Sequence, residues 1–256
     1  MARYPKISIV VPSFNKVDFI KDTLRSIVSQ KYPNLEVIIQ DGGSTDGTLE
    51  VVKKYQKKYP KVFKVESKKD KGQLDAINKG LKKATGEILS FINADDFYED
   101  KAFYKVADFY LKNKDALWFA GKGRVVNREG KEIAKIATLY KNFLLNLSNI
   151  QFLLVTNYLF QPSVFITRKA YNKYGPFTGT KTAVMEYDLW LKLFSVSKPV
   201  VIPYYLSSFR LYKGSISTSK FKDMMKEDEK IAKKYTSDPL VLLLHKMHNL
   251  AKFFWA

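Results

Sequence analysis

The chain contains no cysteine. Disulfides, thiolate zinc sites and a cysteine nucleophile are thereby excluded. The same lack fits a reducing compartment, so the expected location is the cytoplasm. No apolar stretch approaches the length of a transmembrane helix. The first residues, MARYPKISIVVPS, hold only a short apolar run that reads as a strand rather than a secretory leader. Acidic residues are in the minority, with 25 Asp and Glu against 44 Lys and Arg, a net charge of +19. That imbalance implies an anionic partner: nucleic acid, a membrane surface or a phosphorylated substrate. The excess is mostly lysine, in KKYQKKYPK (53–61), SKKDK (67–71) and FKDMMKEDEKIAKK (221–234). These runs lie on solvent faces of expected helices. Nucleic-acid sites more often carry arginine-rich stripes with interleaved aromatics, so no nucleic-acid partner is expected.

What is present suffices for a large core. The 256 residues are 46% hydrophobic and 14% aromatic, enough for one large domain with or without a C-terminal appendage. The first half alternates β-rich runs with helical patterns. KISIVVPS (6–13), LEVIIQD (35–41), VFKVES (62–67) and the apolar run GEILSFINADD (86–96) read as strands. Between them, Phe19, Ile20, Leu24, Ile27 and Val28, then Leu49 and Val52, then Leu74, Ile77, Leu81 and Ala84 recur at helical spacing. Apolar strands joined by helical crossovers predict a mostly parallel sheet flanked by helices. In such sheets ligands bind beyond the carboxyl ends of the strands. Those ends carry Pro12-Ser13-Phe14-Asn15, Asp41-Gly42-Gly43-Ser44 and Asp95-Asp96. The second half is less regular. Residues 117–137 read as two strands around the turn Asn127–Gly130, 142–155 as a helix, 163–175 as a strand and a short helix, and 186–194 as a helix.

Two adjacent carboxylates at a strand end repel each other. A divalent cation that also grips a diphosphate removes that cost, whereas a helix N-cap is the plain structural alternative. Gly42 and Gly43 let backbone approach a ligand closely, and Asp41 can accept a hydrogen bond from a base imide or a ribose hydroxyl. Lys69, Lys71 and Gly72 lie in a loop suited to a diphosphate. Asp75 follows them in a helix, as either a ligand contact or a solvent-facing carboxylate.

Six segments, IVVPSFN (9–15), QDGGSTDGT (40–48), DKGQLDAINKGLKKATGEILSFINADD (70–96), QPSVFITRKAYNKYGPF (161–177), EYDLWLKL (186–193) and FRLYKGSIS (209–217), follow in order. Together they resemble a family 2 glycosyltransferase of the Rossmann-like GT-A fold. The resemblance implies a nucleoside pocket lined by Pro12, Phe14 and Asp41, places Asp75 against the nucleotide, and makes Ser13, Asn15, Gly43, Lys71 and Gly72 further nucleotide- or donor-binding candidates. It implies that Asp96 ligates Mn²⁺ or Mg²⁺ while Asp95 contacts the ribose or the donor sugar. Aligned on Tyr187-Asp188-Leu189-Trp190, the pattern makes Glu186 the catalytic base, with Asp188 its rival. Gln161, Trp190 and Arg210 are further candidates from the same blocks, and Tyr212 stands where many relatives carry a histidine near the metal. The implied activity is inverting, metal-dependent transfer from a nucleotide-sugar, UDP-sugar by preference, to a glycan or lipid-linked acceptor. A nucleotidyltransferase or a basic nucleic-acid-binding protein are the alternatives.

The resemblance covers a catalytic domain, 1–217, and leaves a helical segment, 218–256. In PLVLLLHKMHNLAKFFWA (239–256), Leu240, Leu243, Leu244, Met247, Leu250, Ala251, Phe254 and Trp255 share one helical face, and His245, His248, Asn249 and Lys252 share the other. The histidines are expected to be solvated. Such a helix suits a peripheral site on an anionic membrane at the inner face, or docking onto the domain or a second copy in a homo-oligomer.

Overall fold

The computed structural model describes residues 4–179, 184–215, 218 and 221–255, with Phe221 and residues 251–255 described in their backbone alone. In chain order the elements are β1 (Ile7–Ser13), α1 (Val17–Val28), β2 (Leu35–Asp41), α2 (Thr48–Lys58), β3 (Phe63–Ser67), α3 (Gln73–Lys83), β4 (Ile88–Phe91), β5 (Phe97–Tyr98), α4 (Ala102–Lys112), β6 (Trp118–Val126) and β7 (Glu132–Ile133). There follow α5 (Lys135–Leu147), α6 (Ile150–Val155), a 3₁₀ turn (Gln161–Ser163), β8 (Val164–Thr167), α7 (Arg168–Tyr174), α8 (Met185–Phe194), β9 (Val200–Arg210), α9 (Phe221–Tyr235) and α10 (Pro239–Trp255). No helix among the described residues is long and apolar enough to cross a membrane.

The strands form one sheet in the order β3-β2-β1-β4-β8-β6-β9-β5, with β7 paired to β6. The first four strands pair with one another in parallel. All seven residues of β1 and of β2 are buried, as a strand covered on both faces requires. Beyond β4 the sheet is mixed: β8 runs antiparallel to β4 and to β6, while β9 is parallel to β6. The parallel pattern therefore describes the half that the alternating sequence covers, and the later strands complete the sheet by reversal. Each face has its own core. Ile9 and Val11 point to one, with Ile20, Leu24, Val52 and Phe103 from α1, α2 and α4. Val10 points to the other, with Ile77, Leu144, Leu153, Trp190, Ile231 and Val241.

Register gathers the functional segments. Ser13 pairs with Asp41, and Asp41 pairs with Ser67, so three strands end level. Val10 pairs with Phe91, which brings the residues after β4 alongside those ends. The long strand β9 shifts register against β6 between Gly121 and Gly123. Cβ atoms there would lie 2.2 Å from Leu206 and 2.4 Å from Phe160, so only glycine fits either position.

Three expectations need correction. Residues 135–137 begin α5 rather than ending a strand, and the second strand of that pair is only Glu132–Ile133. The helix expected over 142–155 is two helices, because Ser148 adopts φ 44° and Asn149 caps the next helix by accepting from Gln151 N. The C-terminal segment packs against the domain, as one of the two expectations for it had it: Ile231, Ala232 and Val241 are buried among residues of the sheet helices. The histidines of α10 are not solvated. His245 is 1% exposed, its Nδ1 lies 2.7 Å from the Leu154 carbonyl oxygen, and its Nε2 lies 2.9 Å from Asn249 Nδ2. His248 Nε2 lies 2.7 Å from Thr156 Oγ1. The polar face of the helix turns inward. The side chains of Ala251, Lys252, Phe254 and Trp255, and residues Ile216 and Ser217 at the end of the last family-like block, lie outside the described residues.

A chain cut after residue 217 loses these buried side chains. It is expected to give no cooperative thermal transition by circular dichroism, whereas an unchanged transition would make 218–256 an independent unit.

Candidate active site

A cavity of about 1050 Å³ opens along the carboxyl ends of β1, β2 and β4 and continues to α8 and α9. Ligand pockets commonly span roughly 300–1,000 Å³, so a nucleotide bearing a sugar fits. Its first wall is Pro12, Ser13, Phe14 and Asn15. Ser13 Oγ is buried with no hydrogen-bond partner among the described residues. Phe14 is 59% exposed and offers a ring face for a base to stack on. Asn15 sits at φ 50°, held by Thr45 N donating to its Oδ1 and by its own N donating to Ser44 Oγ.

Asp41 does not line this cavity. Its carboxylate is 2% exposed and accepts hydrogen bonds from Gly43 N, Ser44 N, Ser44 Oγ and Ser67 Oγ. It shapes the turn that presents Gly42 and Gly43. The carboxylate on the cavity is Asp70. A Cβ at Gly42 would stand 3.0 Å from Asp70 Oδ2 and 3.3 Å from Phe14, so the glycine gives Asp70 its place. Asp75 also turns away: its Oδ2 accepts from Lys71 N and pairs with Lys79 at 2.7 Å, and that hydrogen bond from Lys79 lowers its pKa. Lys69, Lys71 and Gly72 do line the cavity. Gly72 has φ 113° and no atom near its missing Cβ, so the N-terminus of α3 opens on the cavity, where an anion is favoured.

The neighbouring aspartates separate cleanly, and the one expected to ligate the metal is the one drawn inward. Asp96 is 1% exposed and does not line the cavity. Its Oδ1 accepts from Arg210 N at 2.7 Å and its Oδ2 from Asn93 Nδ2 at 3.2 Å. Burial, and then the Asp95 charge, push its pKa well up, against those hydrogen bonds. Asp95 faces the cavity. Lys16 Nζ donates to its Oδ2 at 2.7 Å and to the Tyr212 hydroxyl at 2.7 Å, and Tyr212 donates to the same Oδ2 at 2.8 Å. Burial alone would lower the pKa of Lys16, but Asp95 and the two hydrogen bonds outweigh it and hold the ammonium above its ordinary value. Arg210 also reaches the cavity, stacked 4.9 Å over Phe19 and paired with Asp22 at 3.3 Å.

The far wall carries Glu186. Burial pushes its pKa up to about 8, opposed by a hydrogen bond from its own backbone N–H, raised further by the Asp228 charge and lowered by Lys141. Lys141 and Asp228 line the same wall. Asp188 does not. It accepts from Thr178 Oγ1 at 2.8 Å and from Tyr235 Oη at 3.2 Å, and pairs with Lys234 at 3.3 Å. It ties α9 to α8. Trp190 is core rather than site, stacked on Trp118 with ring centroids 5.9 Å apart. Gln161 lies on the cavity: its Nε2 donates to the Phe91 carbonyl oxygen, and its Oε1 has no partner among the described residues.

Sequence reasoning missed Lys16, Asp70, Lys141 and Asp228. Lys16 adjoins one recognised block and Asp70 opens another, so both were open to notice. Lys141 and Asp228 sit in helices whose patterns resemble any solvent-facing amphipathic helix, so nothing in their own segments marks them.

Exchanging Asp96 for Ala strands the Arg210 N–H in the interior and is expected to cost about 2–3 kcal/mol of stability. Asp95→Ala removes a contact that lies open to the cavity, where water can take its place beside Lys16, and is expected to cost less, about 1 kcal/mol. Urea denaturation of the two variants checks the order; equal losses would place Asp96 outside the structural frame.

The family model described as Glycosyl transferase family 2 matches residues 8–175. An uncharacterized glycosyltransferase of Haemophilus influenzae is 28% identical over 220 residues, 85% of this chain and 84% of its own length. The poly-beta-1,6-N-acetyl-D-glucosamine synthase of Staphylococcus epidermidis is 33% identical over 134 residues, 52% of this chain and 32% of its own. The chain spans less than half the length of most curated relatives it matches. Among solved structures, the mannosyltransferase PcManGT of Pyrobaculum calidifontis, in complex with GDP-Man and Mn²⁺, superposes with a TM-score of 0.69 at 18% identity, covering 96% of this chain and 70% of that one. S. aureus TarS 1-349 in complex with UDP-GlcNAc gives 0.66 at 19%, covering 97% and 71%. The match of the family model over most of the chain and the shared mixed sheet lead to one conclusion: this chain belongs to glycosyl transferase family 2 and has the GT-A fold.

Proposed function

We propose that the protein transfers a sugar from a nucleotide-sugar donor to a hydroxyl of a glycan acceptor, with inversion. The observation that carries this reading is the opposition of two chemistries in one cavity: Asp95 with Lys16 on the donor side and Glu186 on the other. UDP is the first nucleotide to test, after the TarS structure that holds UDP-GlcNAc, with the GDP of the PcManGT complex as its comparison. A polymer-building role is favoured because a relative is a poly-N-acetylglucosamine synthase.

The donor's base lies against Phe14, beside Ser13 and Asp70, and its diphosphate lies near Lys71, Gly72 and the α3 N-terminus. Glu186 takes the proton from the acceptor hydroxyl. That oxygen bonds to the anomeric carbon while the bond from this carbon to the diphosphate oxygen breaks. The electron pair leaves with the nucleoside diphosphate, and one displacement inverts the centre. Lys16 and the α3 N-terminus offset the charge that develops there. A base with pKa about 8 is strong enough for the task and is still ionised in useful proportion near neutrality.

A divalent cation in the cavity needs oxygen ligands from the chain. No group of three His, Cys, Asp or Glu residues among the described residues can hold one. Asp95 presents a carboxylate to the cavity, however, and both of its contacts fall on Oδ2. It fits a cation shared with the donor's phosphates, as oxygen-ligated Mg²⁺ and Mn²⁺ sites commonly are. Such a cation would supply further neutralisation of the leaving diphosphate.

Glu186→Gln is expected to keep UDP binding, by calorimetry, and to lose about 10²–10⁴-fold in kcat. In the parent protein kcat/KM should rise with pH and level off above about 8, because the ionised form is the base; a profile flat from pH 6 to 9 by product assay, or pyrophosphate in place of nucleoside diphosphate among the products, refutes the reading. UDP should bind more tightly with Mn²⁺ than with chelator, and Asp95→Ala should erase that difference. If the difference survives in Asp95→Ala, the cation is held elsewhere.

A further inference from the structure

Two helices on one side of the molecule turn apolar residues to solvent. On α5 these are Ile136, Leu139, Tyr140, Phe143 and Leu147, spaced along one face at i, i+3, i+4, i+7 and i+11. On α10 they are Leu240, Leu243, Leu244, Met247 and Leu250. Ile136, Leu139, Phe143, Leu240 and Met247 are 57–74% exposed. The helices adjoin: the Tyr140 and His248 rings lie 6.0 Å apart, and exposed Phe152 of α6 belongs to the same side. This is the inverse of an ordinary surface helix. In α10 the polar residues His245 and Asn249 are the buried ones, satisfied by each other and by the Leu154 carbonyl. Exposed apolar surface on this scale marks an interaction site.

Charge says what covers it. Residues 133–185 contain no Asp or Glu, and neither do residues 239–256. In a chain with 25 acidic residues, both apolar helices lie in acid-free stretches. Exposed Lys135 opens α5 and exposed Lys246 flanks the apolar arc of α10. Exposed Lys222, Lys226, Lys230, Lys233 and Lys234 stud α9, which packs against α10. The two apolar faces mix aromatic and aliphatic side chains, carry no carboxylate themselves and have Lys135 and Lys246 at their edges; on α9 the lysines alternate with Asp223, Glu227, Asp228 and Glu229, and Lys233 and Lys234 are paired with Glu229 and Asp188, so the basic rim is that of α5 and α10. Such a face complements the headgroup layer of an anionic bilayer.

We propose that the outward faces of α5 and α10 form one platform that docks the protein on an anionic lipid surface. The platform also has a relation to the cavity. On α5, Lys141 lines the wall shared with Glu186, while Tyr140 and Phe143 face outward. Docking through α5 therefore sets the acceptor half of the site against the bilayer, which selects acceptors carried on lipid. This last step rests on the reading of Glu186 as the base, whereas docking itself does not.

The test is flotation of the full chain with vesicles of phosphatidylcholine alone or mixed with phosphatidylglycerol, at low and high salt. The parent protein should float with the mixed vesicles, less with the neutral ones, and less at high salt. Leu139→Glu with Phe143→Glu, and separately Leu243→Glu with Met247→Glu, should each weaken partitioning by about tenfold or more. Both pairs are exposed, and unchanged UDP binding shows that the variants are folded. The proposal is overturned if the parent stays with the soluble fraction at low salt, or if both pairs float as the parent does. It is equally overturned if light scattering finds a dimer that either pair converts to monomer, because the face then belongs to a second copy. UDP binding in a chain that fails to float would leave the nucleotide site standing and remove only the platform.

Discussion

A single buried carboxylate joins the two halves of the molecule at the place where they meet. Asp96 lies just beyond β4, and the backbone N–H of Arg210, the last residue of β9, points at it. Its backbone oxygen accepts from Thr23 Oγ1 of α1, and its second carboxylate oxygen accepts from Asn93. Strand, helix and turn are thus held at one point. Burying a carboxylate is costly, and burial accordingly pushes its pKa up. The return is positional: with Asp96 drawn inward, the next side chain back must face the cavity. Asp95, Lys16 and Tyr212 come together because the backbone around Asp96 cannot rotate freely.

Two kinds of carboxylate emerge on this scaffold. Asp41, Asp96 and Asp188 spend their hydrogen-bonding capacity on the chain itself, in a turn, a strand junction and a helix tether. Asp70, Asp95 and Glu186 face the cavity. For Glu186 the position has a linkage consequence. Its folded pKa lies above the ordinary glutamate range, so its contribution to stability is fully present at acid pH and is lost as pH rises through about 8. The protein is least stable, with respect to this group, under the conditions in which the carboxylate is ionised and able to accept a proton.

Much of the donor half was legible because it is local. Strand ends with Pro12-Ser13-Phe14-Asn15 and Gly42-Gly43 declare themselves by composition, and the fold rule says where they converge. Which of two neighbouring aspartates faces inward was not legible, because the answer depends on a strand that arrives more than a hundred residues later. Asp41 misled for a related reason: an Asp before two glycines suits a ligand contact and a turn equally well, and here the turn claims every oxygen. The orientation of α10 was hidden too. A helical wheel divides the faces correctly, but it cannot show that His245 and Asn249 satisfy each other inside while leucines remain outside.

The cavity draws its walls from separate stretches of chain. Its donor side comes from residues before 96, well within the matched family region. Met224 and Asp228, on the wall with Glu186, come from α9, which lies beyond residue 175 where that match ends. The tether from Asp188 to Lys234 and Tyr235 fixes that helix against the very helix that carries Glu186. Glu186 lies past residue 175 as well, so α8 and α9 together write their share of the far wall from chain outside the family match, while the strand ends of the opposite wall are written from chain inside it.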